Sequence, residues 1–194
     1  NKGLSNHLQM PDSIACNGIA TMNAFLHGGY PSEKLIEIES LRYLYLADTV
    51  DNGKPSIPST GKRLLVVGDY LAINTHKQLG LLEKTAPLLH EGVAITMKPH
   101  PACPIDPAQY PLLKMNIETK PLGELMDHFD MVYAGTATSA ALDAYRAGLP
   151  VITLLDGAAL NLSPLRGYDG VAFVSSTQEL ADLVNNSQIQ NSEE

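Results

Sequence analysis

Cysteine is scarce in this chain. Cys16 and Cys103 are the only two among 194 residues, far apart and without CxxC spacing. That excludes a disulfide framework or a thiolate zinc site, and it makes a reducing cytoplasm the default compartment. Basic residues are also short: 13 Lys and Arg stand against 21 Asp and Glu, for a formal net charge of −8. A nucleic-acid backbone demands basic surface, so no nucleic-acid partner is expected. No apolar run approaches the roughly 20 residues that span a bilayer. The six histidines show neither HxH nor HExxH spacing, so no metal-ligand cluster is expected.

What is present reads as a globular α/β protein. Apolar residues make up 44% of the chain, and the length suits one large domain or one and a half small ones. Asn1 is not a natural initiator, and the opening residues read as the middle of a longer chain. A turn leads into a short strand at 13–16, a helix at 21–27 ends on Gly28-Gly29, and a second short strand covers 34–38. The apolar stretch 41–46 has no decisive period. Residues 48–61 hold Asn52-Gly53, Pro55, Pro58, Ser59, Thr60 and Gly61, with little to bury, and read as a flexible linker. Residues 1–47 then form a partial segment ahead of it.

From 62 to 184 strands and helices alternate. Strands are expected at 64–67, 93–97, 114–118, 131–134, 151–154 and 171–174. Helices are expected at 74–89, 122–129, 139–147 and 177–184, the last capped by Ser175-Ser176. Pro87 tilts the end of the first of these. The polar tail 185–194 is expected to fray. Such alternation predicts a Rossmann-like, doubly wound parallel sheet, and ligands on these sheets bind beyond the carboxyl ends of the strands.

The chain is organised around 131–151. A short apolar strand runs into Gly135, which permits a sharp turn and close approach to a ligand. Thr136, Thr138 and Ser139 then supply hydroxyls where a helix begins, with Thr138 or Ser139 as its N-cap. Gly148 and Pro150 stop that helix. Its first turn offers free N–H groups and the positive dipole end, a general seat for phosphate. The plainer reading is a well-capped crossover helix, and on this stretch alone the two stand about even.

A second feature tips the balance. Lys98-Pro99-His100-Pro101 also ends an apolar strand. Two prolines restrict the backbone around His100, so its imidazole is held at little entropic cost and can donate to phosphate. Structural packing of His100 is the competing reading. Strand alternation points Lys98 opposite to Met97, where a solvated lysine is the plain default. Gly68-Asp69, His100-Pro101, Gly135-Thr136 and the 156–169 loop all fall on the same rim.

These residues reach a family. Met97-Lys98-Pro99-His100-Pro101, then Gly135 to Ala144 and Ala147-Gly148-Leu149-Pro150-Val151, resemble the C-terminal domain of GT-B glycosyltransferases. More narrowly they resemble the His-Pro-motif group of bacterial sialyltransferases, capsule Kdo transferases and teichoic glycerophosphotransferases. The resemblance covers about 62–184, and 11–46 is similar to the segment joining the two GT-B domains. It implies a donor site in which His100 and the Thr138–Ser139 pair hold the phosphate of a CMP-linked sugar. Gly68, Asp69, Lys98, Pro101, Gly135 and Thr136 would line that site. It also implies that the position of Asp143 bonds the nucleotide ribose, although other members carry the longer Glu there.

The function so implied is the donor-binding half of a glycosyltransferase in surface polysaccharide biosynthesis. No cofactor and no metal are required, since no Asp-x-Asp is present to hold one. The acceptor is a glycan or glycolipid. The location is cytoplasmic, at the inner face of the membrane if the missing domain binds there. The general base would belong to that domain, with Asp69 and Asp127 as conceivable substitutes and surface carboxylates as their plainer reading. The fragment alone would be inactive. Two readings from other classes are a non-hydrolysing sugar-nucleotide epimerase, which needs several carboxylates converging on the sugar, and a non-catalytic nucleotide-binding module.

Overall fold

A computed structural model describes residues 11–38, 61–135, 138–157, 161, 163–166 and 168–186. The chain divides into two compact units, Asn1–Asp48 and Thr49–Glu194. The stretch 41–46 lies outside the described residues, and so does the expected linker 48–61 apart from Gly61. Gly61 is closely packed: a Cβ there would fall 2.0 Å from the Gly92 carbonyl oxygen. It therefore belongs with the folded second unit.

The first unit holds β1 (Ile14–Asn17), α1 (Ile19–His27) and β2 (Leu35–Ile38). β1 and β2 pair in parallel, Ile14 opposite Leu35 and Asn17 opposite Ile38. Cys16 is buried, while α1 has no buried residue.

The second unit is a six-stranded parallel sheet in the order β5-β4-β3-β6-β7-β8. Its strands are β3 (Arg63–Val67), β4 (Ala94–Lys98), β5 (Met115–Ile117), β6 (Met131–Ala134), β7 (Val151–Leu154) and β8 (Val171–Val174). Its helices are α2 (Ala72–Thr85), α3 (Leu122–Leu125), α4 (Ser139–Arg146) and α5 (Thr177–Asn186). All four residues of β6 are buried, which explains its unbroken apolar run.

Alternation along β3 divides the core. Leu64 and Val66 join Leu79 and Leu82 of α2 and Leu180 and Val184 of α5. Leu65 and Val67 turn the other way, to Leu125 of α3 and to Ala141 and Ala144 of α4. The sheet is thus covered on both faces, as a doubly wound sheet requires. Arg63 and Asp130 pin the amino ends of β3 and β6. Asp130 accepts from the Arg63 backbone N–H at 2.8 Å, from Nε at 3.2 Å and from Nη2 at 2.8 Å. The order of strands reverses between β3 and β6, so the crevice at their carboxyl ends is the topological switch point.

Three helix ends differ from expectation by two residues or more. α2 ends at Thr85 and passes into a 3-10 turn, Ala86–Leu88, because Pro87 has no N–H to continue the ladder. α3 is one turn long and gives way to a 3-10 turn, Met126–His128. α5 runs on to Asn186, so the first two residues of the expected frayed tail are helical. The cause is long-range. Asn185 Oδ1 accepts from His90 N at 2.9 Å, and its Nδ2 donates to Leu88 O at 2.9 Å. Lys62 Nζ also donates to the carbonyls of Val184 and Asn185, at 3.1 and 2.7 Å.

The start of α5 is a capping box. Ser176 Oγ accepts from Glu179 N at 3.3 Å, while Glu179 Oε2 accepts from Ser175 N at 2.8 Å and Ser176 N at 3.1 Å. The Ser175 N–H and the neighbouring serine donors hold the Glu179 carboxyl below its usual value of 4.5. A depressed folded pKa means stability that is complete above the unfolded value and lost as pH falls through the folded one. The urea midpoint of Glu179→Gln is therefore expected to lie below wild type at pH 7, and the gap to be narrower at about pH 3. A gap of equal size at both pH values would contradict this role.

Candidate functional site

The carboxyl end of β3 is built from Gly68 and Asp69, and each has a distinct physical task. Gly68 donates its N–H to Lys98 O at 3.0 Å, continuing the ladder between β3 and β4. A Cβ on Gly68 would meet His100 N at 3.1 Å and Pro99 Cα at 3.4 Å. Lack of a side chain thus lets the Pro99-His100 turn close against the end of β3.

Asp69 is only 1% exposed. Its Oδ1 accepts from Leu71 N and its Oδ2 from Asn74 Nδ2, both at 3.0 Å. Thr75 Oγ1 accepts from Asp69 N at 2.9 Å and donates to Asp69 O at 3.1 Å. Both carboxylate oxygens therefore serve the turn into α2. Asp69 is not a surface carboxylate, and its contribution is to fix the rim. A carboxylate would also repel a bound phosphate. Thr75 and Asn74, which complete this turn, escaped the sequence reading.

His100 is half-buried just beyond β4. Its Nδ1 accepts from Ala102 N at 3.1 Å, and its carbonyl accepts from Cys103 N at 2.8 Å. With Nδ1 used as acceptor, the proton of the neutral ring sits on Nε2, which is then the donor. The loop behind it is anchored to α2. The Tyr110 hydroxyl and His76 Nδ1 share a hydrogen bond, and Leu112 N donates to Glu83 at 3.2 Å. Pro101 is exposed. Lys98, the last residue of β4, is half-buried. It helps, after the backbone N–H groups of Lys120 and Thr119, to hold the Glu118 carboxyl below its usual range.

Across β3, Gly135 ends β6. Its φ is not in the left-handed region. A Cβ on it would stand 3.6 Å from Asp69 Oδ2, which places the ends of β3 and β6 side by side. Thr136 lies outside the described residues. Thr138 is the N-cap of α4, with φ −91° and ψ 129°, and its hydroxyl accepts from Ala140 N at 3.3 Å. Ser139, the alternative cap, is the first helical residue and is exposed. Asp143 is 5% exposed and shares the buried face of α4 with Ala141 and Ala144, one turn in from the rim. Asp127 is excluded from the rim. It sits in the 3-10 turn just before β6, at the opposite, amino edge of the sheet.

The structure thus brings Gly68, Asp69, His100 and Gly135 into one contiguous rim, with the capped start of α4 following Gly135. A residue the sequence reading missed also stands there. Tyr70 is 58% exposed, and its ring meets that of His100 edge to face at 6.5 Å. Its position directly after the Gly68-Asp69 strand end was the available signal. Among the described residues no three His, Cys, Asp or Glu side chains gather as a metal site, and no helix is long and apolar enough to cross a membrane. A shallow cavity of about 190 Å³ on the first unit is lined by Thr21, Ala24, Phe25, Gly28 and Tyr30, without a charged side chain.

No protein-family profile and no curated protein sequence matches the chain. Solved structures do. HepE of Anabaena in complex with UDP-glucose superposes with a TM-score of 0.53 at 16% identity, over 91% of this chain and 54% of that one. The same protein with UDP and glucose gives 0.51 at 16% identity, over 91% and 53%. The chain therefore spans about half the length of the structures it matches. Likeness at this identity shows the fold.

Two outcomes are expected of this geometry. Gly68→Ala forces its methyl against the His100 backbone and should cost about 1–3 kcal/mol of stability. Thr138→Ala should cost about 1 kcal/mol more than Ser139→Ala, since Thr138 is the cap. Chemical denaturation of the three variants checks both. Equal losses for Thr138→Ala and Ser139→Ala would remove the distinction between cap and first helical residue.

Proposed function

We propose that this chain is the donor-binding half of a glycosyltransferase, and that it holds the phosphate of a nucleotide-activated sugar on the β3–β4–β6 rim. The observation that carries the reading is the packing of the His100 turn onto Gly68 at the end of β3, the strand that also neighbours β6, after which the Thr138-capped α4 begins. A hydrogen-bond donor and a helix start follow the two strands that flank β3 at the switch point, an arrangement suited to a phosphate. The fold shared with HepE, a protein crystallised with UDP-glucose, supports a nucleotide sugar as the ligand class. The His-Pro and paired-hydroxyl motifs favour CMP as the nucleotide, within surface polysaccharide biosynthesis at the cytoplasmic side of a membrane.

In this reading an acceptor hydroxyl oxygen bonds to the anomeric carbon as the bond from that carbon to the phosphate oxygen breaks. Negative charge builds on the departing phosphate. His100 Nε2–H and the N–H groups opening α4 stabilise it without a metal ion. The hydroxyl proton must pass to a base. Asp69 is tied to its turn and Asp127 lies at the far edge, so neither takes that role. The 194 residues are accordingly proposed to bind donor but not to transfer sugar by themselves. A glycan or glycolipid is the proposed acceptor.

Calorimetric titration tests the reading. CMP should bind more tightly than UDP or GDP, with the same affinity after EDTA treatment. His100→Ala loses a charge-assisted hydrogen bond of roughly 1.5–3 kcal/mol, hence about ten- to hundredfold in affinity. Its melting curve should stay near wild type, since His100 lies on the rim. Unchanged affinity in the folded variant would return His100 to a packing role. Tighter binding of UDP would keep the donor site and overturn the cytidine assignment.

A further inference from the structure

We infer that Tyr70 is a specificity-determining residue that receives the carbon–hydrogen face of the sugar carried on the bound phosphate. The inference rests on the donor-site reading above.

Four observations carry it. β3 lies between β4 and β6, the two strands whose ends bear His100 and the start of α4. A phosphate held by those two elements stands over the end of β3. Tyr70 rises from that place. Its backbone is fixed, because Asp69 grips Leu71 N and Thr75 grips Asp69 on both sides. Its ring is 58% exposed, with Leu71 at 43% and Ile73 at 61% beside it, so three large apolar side chains face outward next to the phosphate donor. Such a group of exposed apolar residues on a ligand rim offers a contact surface.

Distance selects the occupant. The ring centroids of Tyr70 and His100 are 6.5 Å apart. A phosphate oxygen accepting from His100 lies about 3 Å from its nitrogen. Tyr70 is therefore within reach of a group joined to the phosphate through one ester oxygen, the sugar or the ribose, rather than a base beyond the ribose, and the paired titrations below separate the two. A pyranose ring presents polar edges and a carbon–hydrogen face, and that face gains dispersion contacts and sheds water against an aromatic ring. The apolar neighbours Leu71 and Ile73 extend the same wall.

The test pairs each nucleotide with its sugar. Wild type, Tyr70→Ala and Tyr70→Phe are titrated with CMP, CMP-N-acetylneuraminate, UDP and UDP-glucose. Wild type should bind the sugar form of one pair more tightly than the bare nucleotide. Tyr70→Ala should lose about tenfold on that sugar form and stay within about twofold on the nucleotide. Tyr70→Phe should keep the wild-type pattern, since the ring and not the hydroxyl makes the contact. Equal loss on both members of a pair would show that Tyr70 acts on the nucleoside or through His100, and would overturn the inference. No loss at all, or a wild type that does not distinguish sugar from nucleotide, would overturn it too while leaving the donor site intact. Absence of binding by all four ligands to wild type would sink the donor-site reading and this inference together.

Discussion

The rim depends on one close approach: the backbone of Gly68 against the backbone of His100. A side chain at Gly68 would place its first carbon 3.1 Å from His100 N. At that distance the turn after β4 must move away. The same glycine donates to Lys98 O, so the contact belongs to the β3–β4 ladder and inherits the stiffness of the sheet. Pro99 and Pro101 remove further freedom on the far side of the imidazole. The His100 backbone is thus placed by sheet geometry, and the Ala102 N–H of its loop orients the imidazole.

Asp69 does the complementary work. It is buried next to the switch point, where a free carboxylate would be costly and would repel an anion. The turn resolves this by giving both oxygens N–H donors, from Leu71 and Asn74. The result is a rigid start for α2, with Tyr70 thrust outward between two fixed residues. Polar groups spent on the turn leave an exposed surface that is largely apolar. Packing economy and site character are therefore linked through a single residue.

The two faces of the sheet divide responsibilities. On one side α2 and α5 cover Leu64 and Val66, and α2 also anchors the His100 loop through His76 and Glu83. On the other side α4 covers Leu65 and Val67 through Ala141 and Ala144, small residues that let the helix lie close to the strands. The start of α4 is consequently set by its seat on the sheet as well as by its Thr138 cap.

Much of this was legible in the residue pattern. Unbroken apolar runs such as 131–134 announce strands covered on both faces, and their alternation with helices leaves a parallel sheet as the economical solution. The His-Pro turn and the Thr138-Ser139 pair could be placed at strand ends for the same reason. Three things were not legible. A carboxylate's partners cannot be read from a Gly-Asp pair, so Asp69 looked like an open surface group until the Asn74 and Leu71 contacts closed it. Asp127 looked usable until chain direction set it at the opposite edge. Asn185 looked like the start of a tail until its amide met the turn at Leu88 and His90. Local sequence determines which segments become strand, helix or cap, because those choices depend on neighbours within a few residues. Which strand ends stand together, and which side chains are consumed in holding them there, depend on contacts between residues far apart in the chain, and only the tertiary structure decides them.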